Sequence, residues 1–208
     1  MSTGQEKSFI ARIRCDGATI GFFGQMLRAE LREGRLVGKG QLLTTWHTYS
    51  EVDKKMVKFN KNRDPYTRTL SHDMIVYFRC YEDYYNIQIR SQAYCGLYFS
   101  KNADGILGAF AGAGGKTTSF NLLNADQSII TLDDIQTKDV TVYLKARNAG
   151  LIKRQLLQRP KIYHYGDQTG DLVSFNLEIL ERNVPYPTSS EPYLYYLEAL
   201  LSDDEDDD

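Results

Sequence analysis

Cysteine is scarce in this chain, and Cys15, Cys80 and Cys95 form no closely spaced pair. An odd count without Cys-x-x-Cys spacing argues against a disulfide framework and against a cysteine-based zinc site. No apolar run approaches the roughly 18 residues that cross a bilayer, and the first residues lack the apolar core of a secretion signal. We therefore expect a cytoplasmic protein without a membrane span.

An uninterrupted run of charges of one sign ends the chain. The formal net charge is −2, but residues 203–208 carry six negative charges, so residues 1–202 carry +4. The hydrophobic content of 42% is typical of a globular protein and supports a sizeable core. We expect one domain at residues 1–182. Residues 183–208 are predicted to form a proline-containing linker, a short helix with Ser190 as N-cap and a disordered acidic tail.

Catalytic and cofactor motifs are incomplete in this sequence. The segment 112–118 is similar to a phosphate-binding loop, but the first glycine of that motif falls on Phe110, and a strand is expected to follow instead of a helix. The three histidines show no ligand spacing. A catalytic couple of Cys95 with His72 stays open on sequence grounds. The sequence predicts no cofactor, no metal site and no enzymatic activity.

Repeated phrases are the strongest positive feature. Residues 98–107 (YFSKNADGIL) are similar to residues 143–152 (YLKARNAGLI), and the two central glycines lie 45 residues apart. Ser-Phe-Asn-Leu follows each copy, at 119–122 and at 174–177. Apolar residues alternate at 11–14, 87–91 and 140–144, and glycine turns follow at 103–105 and 148–150; these patterns predict half-buried strands and hairpins. With a weaker first copy, the pattern predicts an all-β fold of three repeats at about 8–80, 81–125 and 126–182.

The repeats resemble those of the β-trefoil family, in particular fascin-like and lectin-like members. In those families a Tyr-Leu-Ser strand precedes a turn, and a Phe-x-Leu strand closes each repeat, as Ser119–Leu122 would here. The Gln-x-Trp signature of ricin-type lectins is absent. The resemblance implies a β-trefoil with a non-catalytic binding function, either for carbohydrate or for a cytoskeletal protein such as actin.

Two sets of polar and aromatic residues are candidates for carbohydrate binding, since sugars bind to aromatic faces and to amide or carboxylate groups. The first set lies in the predicted hairpin of the third repeat and the second in the turn of the second repeat: Tyr163, Tyr165, Asp167 and Gln168; Asn102 and Asp104. The alternative interpretation, that the tyrosines are strand residues and Asp167-Gln168 is an ordinary turn, stays open.

A basic segment offers a second binding hypothesis. Residues 145–161 contain six basic residues and no acidic ones: Lys145, Arg147, Lys153, Arg154, Arg159 and Lys161. Such a segment suits an acidic protein partner, or nucleic acid when aromatic residues are interleaved. Because residues 1–202 carry only +4, nucleic acid is the less favoured of these two partners.

Overall fold

The structure is a computed structural model of the chain. It describes residues 4, 6–26, 40–45, 74–91, 93–112, 117–158 and 161–186. The described part is built from antiparallel strands joined by short turns, together with one helical turn, α1 (Phe23–Met26), and a 3-10 turn at Leu132–Asp134. In chain order the strands are β1 (Phe9–Cys15), β2 (Ala18–Phe22), β3 (Leu43–Thr45), β4 (Met74–Tyr81), β5 (Tyr84–Ile89), β6 (Tyr98–Lys101), β7 (Leu107–Phe110), β8 (Ser119–Leu123), β9 (Ile129–Ile130), β10 (Asp139–Ala146), β11 (Lys153–Gln158), β12 (Lys161–Gly166), β13 (Asp171–Leu172) and β14 (Phe175–Arg182).

Six of these strands close into a barrel. Strand β1 pairs with β4 and β14, β4 with β5, β5 with β8, β8 with β10, and β10 with β14, all antiparallel. Closure gives each barrel strand a neighbour on both sides, so the barrel leaves no open sheet edge. It also brings Phe9 of the first strand opposite Arg182 of the last.

The barrel interior is the hydrophobic core. Alternate residues of each strand point inward, as in β1, where Ile13 and Cys15 are buried while Arg12 is partly exposed. Phe9 stacks on Phe78 at 4.4 Å between ring centroids, and Tyr85 packs edge-on against both rings. Full burial of one such side chain stabilises the fold by about 1.5–3 kcal/mol, so these inward-facing rings contribute much of the core energy.

Three hairpins extend from the barrel: β2–β3, β6–β7 and β11–β12. Strand β11 also pairs with β13, which makes a separate three-stranded sheet. The hairpins meet one another, since Leu42 bridges to Gly108 and Ile106 bridges to Gly166. Turns that are far apart in sequence therefore lie side by side at this end of the molecule.

The predicted architecture is wrong, although the all-β class is confirmed. The sequence predicts a β-trefoil of three imperfect repeats with a C-terminal helix, whereas the structure shows a closed six-stranded barrel with additional strands. The predicted repeats are not equivalent units, because the described residues of 81–125 hold four complete strands and those of 126–182 hold six. Similar turns and closing phrases indicate local hairpins and inward-facing residues. They do not specify which strands far apart in sequence pair with each other.

The last described residues lie against the barrel. Val184 N donates to Ser8 O at 3.0 Å, and Tyr77 Oη donates to Val184 O at 3.0 Å. The predicted helix with its Ser190 cap, and the acidic tail at 203–208, lie outside the described residues.

Candidate functional site

The hairpin turn between β6 and β7 is fixed by its own asparagine. Asn102 Oδ1 accepts hydrogen bonds from the backbone N–H of Asp104 at 3.0 Å and of Ile106 at 2.8 Å. Gly105 has φ +76°, a conformation that costs a residue with a side chain about 1–2 kcal/mol. The sequence Asn-Ala-Asp-Gly therefore forms the tight turn that its residue types predict.

A second turn, at residues 167–170 after β12, contacts the first. A Cβ at Gly105 would lie 2.7 Å from Asp167 Oδ1 and 2.9 Å from Gln168 Nε2, so only glycine fits there. A Cβ at Gly150 would lie 2.9 Å from Asp167 O, which brings the turn after β10 to the same place. The polar residues of the two predicted carbohydrate sets thus meet in one place, which we call the turn surface: Asn102, Asp104, Asp167 and Gln168.

A buried ion pair lies beneath the turn surface. Lys101 Nζ pairs with Asp167 Oδ2, and their side chains are only 9% and 5% exposed. Gln168 Nε2 donates to the other carboxylate oxygen, Asp167 Oδ1, at 3.2 Å. Asp167 is therefore engaged inside the protein and positions its neighbours, so it is poorly placed to bind a sugar hydroxyl itself.

Three hydrogen-bonding groups of the turn surface remain available. The exposed Asp104 carboxylate has no hydrogen-bond partner within the described part of the chain, and the exposed Gln168 keeps its carbonyl oxygen unused there. Asn102 is partly exposed and uses its oxygen in the turn, which leaves its amide N–H₂ as a donor. Two acceptors and one donor on rigid turns suit the hydroxyl groups of a sugar.

The structure places Tyr165 in the core, where its ring offers no stacking face. Its side chain is fully buried, and its hydroxyl pairs with Thr45 Oγ1. Burial raises the pKa of Tyr165 above its usual range, in keeping with a neutral core residue. Tyr163, two residues earlier, is partly exposed, and the guanidinium of Arg154 lies 4.6 Å from its ring centroid. The turn surface therefore lacks the Tyr165 ring that the sequence predicts there.

The described basic residues of this segment contact different partners. Arg154 pairs with Asp16 at 3.3 Å, whereas Arg147 extends over the ring of Tyr84 at 3.8 Å. Lys145 lies on the outer face of β10 opposite Asn121, and Lys153 lies on β11. Arg159 lies outside the described residues, and Lys161 is placed only by its backbone in β12.

Sequence reasoning missed a row of arginines and tyrosines on the barrel exterior. The rings of Tyr81 and Tyr84 stack at 5.5 Å and 13°. The Arg79 guanidinium lies 5.1 Å from the Tyr81 centroid and 4.3 Å from the Tyr186 centroid, while Arg147 covers Tyr84. We call this row the arginine–tyrosine ladder: Tyr186, Arg79, Tyr81, Tyr84 and Arg147.

One sequence signal could have predicted two of the five ladder residues. A two-residue turn, Glu82-Asp83, separates Tyr81 from Tyr84, and the two tyrosines are directly opposite in the β4–β5 register. Directly opposite residues of a hairpin project to the same side, so their rings are expected to touch. Arg147 and Tyr186 come from distant segments, and no local pattern places them there.

A shallow pocket crosses the outer face of β1, β14 and β10. It has a volume of about 180 Å³, and Arg12, Arg14, Thr141, Asn176 and Glu178 contribute to its lining. Glu178 accepts from Lys138 at 2.8 Å and also pairs with Arg12. The Lys138 hydrogen bond, followed by the Arg12 charge, lowers the pKa of Glu178 below its usual range. Opposite charges pair within the pocket, so its lining has no strong net charge of either sign.

A metal site has no support among the described residues. They contain no group of three or more His, Cys, Asp or Glu side chains placed to hold a metal ion. The phosphate-loop candidate at 112–118 leads directly into strand β8, and its residues 113–116 lie outside the described part, as does His72. Among the described helices, none is long and apolar enough to cross a membrane.

Comparisons of the chain with known proteins assign it to no family. No model of a known protein family matches the chain, and a search of curated protein sequences finds no match. The residues of the turn surface and of the ladder are therefore the basis on which a function is inferred.

Proposed function

We propose that this chain is a non-catalytic binding protein that recognises carbohydrate at the turn surface. The observation that carries the proposal is the contact between two hairpin turns more than sixty residues apart, at Gly105 and Asp167. Asp104 and Gln168 are both exposed, Asp104 N donates to Asn102 Oδ1, and Gln168 lies against Gly105 of the same turn. Hydrogen-bonding groups at fixed separations select one arrangement of sugar hydroxyls over another.

The rigidity of the two turns supports this proposal. Binding an oligosaccharide costs less free energy when the protein groups are already ordered. Asn102 orders the first turn through two backbone hydrogen bonds, and the buried Lys101–Asp167 pair holds the second. The turn surface can therefore bind hydroxyl groups without first ordering its own loops.

An acidic or cytoskeletal protein partner has weaker support. That hypothesis needs the basic segment to act as one surface, but Arg154 pairs with Asp16 and lies over Tyr163, whereas Arg147 lies over Tyr84. These two arginines of the segment therefore have different neighbours.

The experiment that tests the proposal is a glycan array followed by affinity measurements on variants. Asp104→Ala and Gln168→Ala are each expected to weaken binding about tenfold, the effect of losing one hydrogen bond of about 1.4 kcal/mol. Asp126→Ala removes an exposed carboxylate from a turn elsewhere and serves as the matched control, with a change of less than about twofold. An array without binding, or equal losses in all three variants, would contradict the proposal.

A further inference from the structure

The arginine–tyrosine ladder holds two guanidinium groups in fixed positions with their edges available. Arg79 lies between the rings of Tyr186 and Tyr81, and Arg147 covers Tyr84. A guanidinium stacked on a ring still presents its N–H donors at the edge. In the described part of the chain neither group pairs with a carboxylate or donates a side-chain hydrogen bond. Both arginines can therefore receive an anionic group from outside.

The ladder also adjoins the turn surface. Arg147 begins the tight turn after β10, in which Ala146 N donates to Gly150 O at 3.1 Å. Gly150 in turn packs against the backbone oxygen of Asp167, where a Cβ would lie at only 2.9 Å. One end of the ladder is thus separated from the turn surface by a single short turn. A chain-like ligand bound at the turn surface can extend along the ladder.

We propose that the carbohydrate ligand is an acidic oligosaccharide whose carboxylate or sulfate groups bind Arg147 and Arg79. This inference rests on the proposed carbohydrate function and adds the chemical class of the ligand. The planar fork of arginine matches a carboxylate or a sulfate with two parallel hydrogen bonds, which are stronger than those between neutral groups. Lys145, on the outer face of the same strand that leads to Arg147, adds a third positive charge.

Two acidic residues lie within the ladder and oppose this attraction. Glu82 and Asp83 form the exposed turn between Tyr81 and Tyr84. Together with Arg79, Lys145 and Arg147 they leave a local charge of about +1, in contrast to the strongly basic face of a dedicated nucleic-acid binder. A ligand with widely spaced charges on a hydroxyl-rich chain fits this balance better than a polyphosphate does.

The test compares short oligomers of galacturonic acid, heparin fragments and neutral galactose oligomers on the full chain at low and at physiological salt. At least one acidic probe is expected to bind about tenfold more tightly than the neutral one, and salt is expected to weaken only the acidic binding. The uronate and heparin arms distinguish carboxylate from sulfate recognition. Equal binding of acidic and neutral oligomers would overturn this inference and leave the proposed function standing, whereas binding of no sugar would overturn both.

Variants locate the anionic contact. Arg147→Gln and Arg79→Gln are each expected to weaken binding of the acidic oligomer about tenfold without changing the neutral one. Arg147→Lys keeps the charge but loses the planar fork, so it is expected to lose part of this affinity. Lys153→Gln removes the same charge from β11 and is the matched control. Losses as large in the control as in the arginine variants would place the contact elsewhere and overturn the assignment.

Two further measurements test the path of the ligand and its chemical class. Neutralising the turn with Glu82→Gln and Asp83→Asn is expected to tighten binding of the acidic oligomer, and an unchanged affinity would show that the ligand does not pass along the ladder.

A single-stranded thymidine oligomer is the competitor for base stacking, since bases stack on arginine and tyrosine planes. Displacement of the acidic sugar by this competitor at lower concentration than by the sugar itself would overturn the carbohydrate assignment in favour of nucleic acid.

Discussion

Close contacts between the turns restrict which residues can occupy positions at the turn surface. Gly105 combines a positive φ of +76° with only 2.7 Å between a would-be Cβ and Asp167 Oδ1. At the turn after β10, by contrast, Asn148 takes the positive φ, at 58°, and Gly150 is required by its contact with Asp167 O. The two similar phrases, Asn-Ala-Asp-Gly at 102–105 and Asn-Ala-Gly at 148–150, therefore use their glycines for different physical reasons.

Replacing Gly105 with alanine is expected to destabilise the protein and to disturb the turn surface. Gly17→Ala is the matched control, because Gly17 has the same φ of +76° but no atom within 4 Å of a would-be Cβ. Gly17→Ala should cost about 1–2 kcal/mol from backbone strain alone. Gly105→Ala should cost at least about 1 kcal/mol more, since Asp167 and Gln168 must also move. Urea unfolding of both variants measures this difference, and equal losses would show that the turns separate easily.

The Lys101–Asp167 pair should behave as a buried ion pair. The Lys101 side chain is only 9% exposed, and Asp167→Asn removes the carboxylate that pairs with its charge. This substitution is expected to lower the free energy of unfolding by about 3–5 kcal/mol. Lys101→Met should cost a similar amount, whereas the double variant should recover much of the loss because no uncompensated charge remains buried. A double-mutant cycle from urea unfolding measures the coupling. If the two losses simply add, the pair is solvated and does not support the turn.

Alternation along neighbouring strands gives the barrel its two chemically distinct faces. On β1, Arg12 faces outward opposite Glu178 of β14, which is itself opposite Asp139 of β10. Inward residues in the same register, such as Ile13 and Leu177, are buried. At this register the outer face therefore carries an ion pair between Arg12 and Glu178, whereas the inner face is packed with apolar residues.

The pairing of Glu178 predicts a contribution to stability that depends on pH. Its pKa is lowered in the folded state, chiefly by the Lys138 hydrogen bond, so protonation weakens the fold. The contribution is complete above the unfolded pKa of about 4.3 and is lost as pH falls through the lower folded pKa. Because the pair is partly exposed, Glu178→Gln should destabilise by at most about 1 kcal/mol at neutral pH, and the difference should shrink toward zero in acid.

Urea unfolding from pH 7 down to pH 3 measures this effect. Glu181→Gln removes the same charge from an exposed position of β14 and is the control. A difference between wild type and Glu178→Gln that persists unchanged in acid would mean that packing, and not the ion pair, accounts for it.

Closure of the barrel is a property of the whole molecule, and the burial and reactivity of the cysteine thiols depend on it. Cys15 ends β1 and lies opposite Phe175 of β14, where it is fully buried. Burial raises the pKa of Cys15 to about 12, and burial also raises the pKa of Cys80. Cys95 is only partly buried. Both solvent access and thiolate formation at Cys15 therefore require the barrel to open.

Alkylation of the native protein should modify Cys95 first, because its thiol is reached without opening the barrel. Cys15 and Cys80 should react only as fast as the barrel unfolds, and their rates should rise together with urea. Mass spectrometry of each cysteine peptide measures these rates, with the fully unfolded protein as the reference in which all three react. Rapid alkylation of Cys15 in native buffer would show that β1 and β14 separate without global unfolding.

The sequence by itself determined the local elements. Alternation at residues 11–14, 87–91 and 140–144 predicted strands that the structure places within β1, β5 and β10, although β5 ends at Ile89. Asn102 and Gly105 predicted their hairpin turn because the asparagine side chain and the positive φ act within a few residues. These features depend on neighbouring residues alone, so the sequence is sufficient to specify them.

Only the tertiary structure decided how these elements combine. The pairing of β1 with β14, the burial of Tyr165 and the engagement of Asp167 by Lys101 join residues far apart in the chain. The repeats suggested three imperfect copies of one unit, but strand pairing and closure depend on long-range packing that a repeated phrase does not encode. The arginine–tyrosine ladder has the same origin, since the pairing of β5 and β10 with β8 brings Arg147 to the ring of Tyr84.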